Sequence, residues 1–166
     1  MAFLLTDTKG SLKVIISRDS ALDPSCFSEE VDGKTAFEKY TSTLDEKFLK
    51  FREGKEPTRF HLRKVLDYKS QLHIRNMQIS IEGTGKKMVQ KVNFNFMVEE
   101  VRRSLVDIEN PPGVSNVLEY KKAADSYANE DLISFLDQLG VVQELYNIRL
   151  NFLNQAGEDL DLVKKN

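Results

Sequence analysis

The sequence predicts an α+β fold, with a small antiparallel sheet near the N-terminus followed by several amphipathic helices. Three observations lead there. Leu12, Val14 and Ile16 alternate within a β-branched run, and Phe60 and Leu62 alternate within Thr58–Val65. From Asp67 onward the apolar spacing changes to threes and fours, the period of a helix. Between these patterns lie Gly/Pro/Asp turn clusters rather than a low-complexity linker, so a single domain is expected, residues 1–66 mainly β with one short helix, 67–155 mainly α, and 156–166 a polar tail.

Residues 11–17 form the first predicted strand, with Phe3 to Thr6 as a partner across the Asp7-Thr8-Lys9-Gly10 turn. Residues 18–34 hold the turn formers Asp19, Asp23-Pro24 and Asp32-Gly33 and are expected as a loop. Phe37, Tyr40 and Leu44 predict a short helix over 35–45. Residues 47–51 and 58–65 are expected to pair as a β-hairpin around Glu53-Gly54-Lys55-Glu56-Pro57, with Gly54 at positive φ. In that hairpin Phe60 and Leu62 face the core, and Arg59, His61 and Arg63 face outward or towards a partner. A helix is then expected from Asp67 to Gly83, with Tyr68, Leu72 and Ile79 as its stripe and Gly83-Thr84-Gly85 as its C-terminal stop. A longer helix should follow from about Lys86 to Ile108, carrying Val89, Val92, Phe96, Val101 and Leu105 and ended by Pro111-Pro112-Gly113. Residues 111–128 are expected as irregular. Asn129 caps a last helical region from Leu132 to Leu153, which Gly140 either breaks in two or interrupts without breaking.

The 166 residues are 40% apolar and 30% charged with a net charge of −2, which fits one globular core and gives no overall electrostatic support for nucleic-acid binding. Cys26 is the only cysteine, so an intrachain disulfide and a thiolate zinc site are excluded. No apolar run approaches the roughly 20 residues of a membrane span.

Each candidate for chemistry has a plainer explanation. Gly83-Thr84-Gly85-Lys86-Lys87 lacks the longer glycine run and the Ser/Thr of a phosphate loop, and a turn accounts for it. His61 and His73 lie on different predicted elements without metal-ligand spacing. Cys26 has no basic neighbour to activate it. Glu99-Glu100 and Glu158, Asp159 and Asp161 look like solvated faces. Lys86, Lys87, Lys91, Arg102 and Arg103 bias one predicted helix positively, which suits a soluble surface or the rim of an acidic partner better than a nucleic-acid contact. Asn93-Phe94-Asn95-Phe96-Met97 is apolar on more than one side, the best hint of a partner interface. The chain is therefore expected to be non-enzymatic and without a cofactor. Its partner-binding candidates are Arg59, His61, Arg63, Phe94, Arg102 and Arg103.

Two segments carry a resemblance. Phe51-Arg52-Glu53-Gly54-Lys55-Glu56-Pro57-Thr58-Arg59-Phe60-His61-Leu62-Arg63, followed by Val101-Arg102-Arg103-Ser104-Leu105-Val106-Asp107-Ile108-Glu109-Asn110, resembles in this order the tail-assembly-chaperone-like and minor virion proteins of tailed bacteriophages. The similarity covers residues 35–110 and is looser elsewhere, and Pro111-Pro112 departs from the pattern. It implies a minor structural or adaptor subunit of the tail, head-tail or capsid region, located in the virion after assembly in host cytoplasm. Its partners would be other phage structural proteins, with homo-oligomeric or ring and shell contacts and no membrane. A tail assembly chaperone absent from the particle is the alternative, and a small nucleic-acid-binding regulatory module the second. The family supplies no catalytic residue. On this reading, reversing the charge of Arg59 and Arg63 abolishes partner binding while thermal stability barely moves.

Overall fold

The structure is a computed structural model, and it describes residues 10–82, 89–92, 95–111 and 127–165. The fold is α+β, as expected. The central sheet has three antiparallel strands in the order β1 (Ser11–Val14), β4 (Arg59–Arg63) and β7 (Leu105–Glu109). Alternation decides its faces. Leu12 and Val14 on β1 pair with Leu62 and Phe60 on β4, and all four are buried. On the other side Phe60 pairs with Ile108 and Leu62 with Leu105.

Leu105 and Ile108 are three positions apart, so strict alternation would send them to opposite faces of the sheet. The register shifts between His61 and Leu62, leaving Val106 unmatched and exposed, and this bulge returns both apolar side chains to the same face. That face is covered by Val101, Ile133, Leu136, Val142, Leu145 and Ile148 from three helices, which form the main core with it. The helices are α4 (Phe96–Ser104), α5 (Glu130–Gln138) and α6 (Val141–Lys165). Helix α6 thus runs through the stretch expected as a polar tail.

A second cluster, Ile15, Leu22, Cys26, Tyr40 and Leu49, lies against the N-terminal side. Cys26 comes from α1 (Ser25–Ser28) and Tyr40 from α2 (Ala36–Thr43), and between these helices runs a short hairpin of β2 (Glu30–Val31) and β3 (Lys34–Thr35). The Asp32-Gly33 turn has positive φ at both positions, the geometry that a tight hairpin requires, so the expected loop contains a hairpin. Helix α2 starts on a reciprocal cap in which Thr35 and Glu38 each accept the other's backbone N–H. The buried Tyr40 hydroxyl accepts from Ile15 N–H and donates to Lys13 O, occupying the β1 edge that β4 leaves unpaired.

Three expectations are corrected. Residues 47–51 do not pair with β4: Asp45 accepts from Lys47 N–H to start a 3-10 turn at Glu46–Phe48, and Phe51 bridges Leu22. Phe48, Leu49 and Phe51 are thereby spent on the second cluster, and β4 takes neighbours from far along the chain. The helix from Asp67, α3 (Tyr68–Gln78), stops before the glycines, because Ile79–Glu82 (β5) pairs with Val89–Val92 (β6). Its buried side chains are Ser70 and Ile74, while Tyr68 and Leu72 of the expected stripe are exposed. The helix expected over 86–108 divides into β6, α4 and β7. Runs rich in β-branched residues take strand pairing where a partner is available.

The C-terminal expectations meet the structure differently. Asn129 caps α5 by accepting from Asp131 N–H, and Gly140 at φ 72° separates α5 from α6. Arg18 Nη2 donates to Leu139 O at 2.7 Å, placing a cation at the C-terminal end of α5. A Cβ at position 140 would stand 2.7 Å from that same nitrogen. The strand expected at Phe3 to Thr6 and most of the irregular segment over 111–128 lie outside the described residues, as does the glycine turn at 83–85.

Candidate functional site

The outer face of the sheet carries the odd-numbered residues of β4. Arg59, His61 and Arg63 do point away from Phe60 and Leu62, but carboxylates from three other segments meet Arg59 and His61. Arg59 binds Glu46 through two hydrogen bonds, Nε to Oε1 at 2.6 Å and Nη2 to Oε2 at 3.0 Å. Its Nη1 lies 3.6 Å from Glu109 and 3.8 Å from Glu56. His61 Nε2 stands 2.7 Å from Glu109 Oε1, and Lys13 approaches the same oxygen at 3.7 Å. The His61 contact, helped by Lys13 and Arg59, holds the Glu109 carboxyl below its usual range. Arg59 is held above the ordinary guanidinium value by its Glu46 bonds. Arg63 Nη1 donates to Arg103 O at 2.7 Å, tying the end of β4 to α4.

A second polar network joins α3, α4 and α6. Glu99 and Glu100 do not form a solvated face. Glu99 accepts from Arg102 Nε and Nη2 at 3.0 and 2.8 Å and from Arg103 Nε at 2.7 Å. These bonds, Arg102 foremost, pull its carboxyl down to about 2 against the cost of burial. The buried Arg103 also donates to Ser70 Oγ at 3.0 Å and lies over the Tyr127 ring, its guanidinium carbon 4.4 Å from the centroid. The Ser70 backbone N–H, and then its hydroxyl, donate to Asp67 and lower that carboxyl below the usual range, and the hydroxyl also bonds the Tyr127 hydroxyl. Arg149 is 5% exposed and anchors α6: Nε and Nη2 donate to Arg63 O and Lys64 O, and Nη1 to Glu100. Burial lowers the Arg149 guanidinium, and Glu100 opposes that fall.

The sequence candidates therefore divide between two networks, Arg59 and His61 on the sheet and Arg102 and Arg103 on α4, with Arg63 connecting β4 to α4. Phe94 lies outside the described residues. The expected basic helix face is not formed among the described residues, since Lys91 sits on β6 and Arg102 and Arg103 are committed to Glu99. His61 and His73 go to different carboxylates, Glu109 and Glu99. Arg149 was the residue sequence reasoning missed. Its signal was a charge at helical spacing among Leu145, Ile148 and Phe152.

Comparison of the chain with protein-family models, curated proteins and solved structures returns no match.

Among the described residues no group of three His, Cys, Asp or Glu side chains could hold a metal ion, and no helix is long and apolar enough to cross a membrane. The buried Cys26 thiol donates to Lys50 O and accepts from Lys50 N–H, so its described contacts are structural. Among the described residues several large apolar side chains also face solvent. Tyr68 and Leu72 on α3 and Phe135 and Leu139 on α5 are exposed at the i, i+4 spacing that places each pair on one helix face. Leu139 also walls a groove of about 440 Å³ with Ile16, Arg18, Phe60 and Val141.

Proposed function

We propose that this chain is a non-enzymatic component of a tailed bacteriophage, a minor structural or adaptor subunit acting by protein-protein contact. The observation that carries the contact part is the contrast just described: the conspicuous arginines are spent on internal carboxylates, while apolar side chains on α3 and α5 face outward. The phage context rests on the sequence resemblance over residues 35–110 and would be abandoned with it. Docking then runs through the exposed helix faces, while Arg103 ties α4 to α3 through Ser70 and Arg59 and His61 are spent on carboxylates at the outer face of the sheet.

The deciding experiment is quantitative peptide mass spectrometry of this chain in purified particles and in infected-cell lysate. Stoichiometric presence in particles is the expected result. Abundance in lysate with absence from particles would transfer the assignment to a tail assembly chaperone that shields an unassembled partner. Detection in neither would overturn the phage reading.

A further inference from the structure

Two apolar faces on one chain carry opposite charge. Helix α3 contains Lys69, His73 and Arg75 and no acidic residue, and Lys69 and Arg75 make no ion pair among the described residues. Helix α5 contains Glu130, Asp131 and Asp137 and no basic residue, and these three likewise make no ion pair among the described residues. Each helix aligns one of its charges with its exposed apolar pair. On α3 the spacing i, i+4, i+7 sets Tyr68, Leu72 and Arg75 on one face. On α5 the spacing i, i+4, i+8 sets Asp131, Phe135 and Leu139 on one face, and all six residues are exposed.

We propose that these faces bind each other between copies, α3 of one chain lying antiparallel on α5 of the next. The antiparallel direction brings Arg75 opposite Asp131, Leu72 opposite Phe135 and Tyr68 opposite Leu139. The lengths agree: at the helical rise the two stripes span about 10 and about 12 Å. The Tyr68 ring then arrives beside Leu139, where the groove walled by Ile16 and Val141 gives it room. Either helix packed against its own kind would bring like charges together, cations on cations or carboxylates on carboxylates, which disfavours a two-fold interface. Because the two faces differ, the contact is head-to-tail and propagates into a ring or a filament. This deepens the proposed function and rests on its reading of the chain as a subunit in repeated copies.

The test uses the full chain and two single variants, Leu72→Asp and Phe135→Asp, each at an exposed position and each checked for native circular dichroism. Sedimentation velocity over a concentration series at low salt should show the unaltered chain growing beyond a dimer, and each variant alone should remain monomeric. An equimolar mixture of the two variants should form a dimer and stop there, since it contains one intact α3 face and one intact α5 face. Added salt should weaken all association. An unaltered chain that stays monomeric, a single variant that still assembles, or a mixture that does not dimerise would overturn the interface. Such a failure is separable from that of the functional proposal, because incorporation into particles is read by mass spectrometry on unaltered protein.

Discussion

Replacing Arg149 with methionine keeps most of the side-chain volume and removes a guanidinium that makes three hydrogen bonds at 2.8 to 2.9 Å. The loss leaves two carbonyls at the end of β4 and the Glu100 carboxylate, only 17% exposed, without their donor. Breaking a buried pair from one side costs about 3–5 kcal/mol. Water that reaches Glu100 through its exposed fraction brings the expectation to the lower end, about 3 kcal/mol. For a chain of this size that corresponds to a fall in Tm of about 6–12 °C. Urea denaturation followed by circular dichroism measures it directly. The cycle is closed with Glu100→Gln: the double variant should recover at least about 1 kcal/mol, because the uncompensated charge is gone. An Arg149→Met chain within about 0.5 kcal/mol of the unaltered one, the range of ordinary surface changes, would refute the clamp.

The remaining predictions concern charge. Glu99 titrates near 2 in the folded chain instead of its ordinary 4.5, so its contribution to stability is complete above pH 4.5 and is lost as the pH falls from 4.5 through about 2. Urea midpoints compared across that window should converge for Glu99→Gln and the unaltered chain as acid is added, and parallel curves would contradict the Arg102–Arg103 pairing. Arg59→Glu sets a carboxylate against Glu46, Glu56 and Glu109, and stability should drop by about 1–3 kcal/mol, the scale of hydrogen bonds to charged groups. An unchanged Tm would return Arg59 to the role the sequence first suggested, a free interface group.

The inner face of the sheet was half legible. Leu12, Val14, Phe60 and Leu62 announced themselves by alternation, and Asn129 announced α5 by its chemistry. Strand β7 was hidden because Val101, Leu105 and Ile108 keep helical spacing across a helix-to-strand junction, and the bulge at Val106 is what permits that spacing in a sheet. The choice of neighbours for β4 was equally hidden. Alternation shows which face is apolar and is silent about which distant strand supplies the partner. The arginines were visible as residues and opaque as contacts, since whether Arg59 is free depends on Glu46 arriving through a 3-10 turn and Glu109 through a strand. Arg149 was readable, as a lone cation in an otherwise apolar helical stripe.

The sheet order also carries a timetable. Strand β4 pairs with β1, made long before it, and with β7, made long after it. A growing chain folds from its N-terminus as it is synthesised, so β4 first has a neighbour on one side only. Closing such distant pairings is the slow part of folding. Even when Glu109 has joined the sheet, Leu145 and Ile148 have still to cover it, and the carbonyls of Arg63 and Lys64 still lack the guanidinium that arrives on the last helix. Completion of α6 is therefore the event that commits the whole chain, and a nascent protein paused before it presents to the cell an apolar sheet covered by Val101, Ile133 and Leu136 alone among these helical side chains.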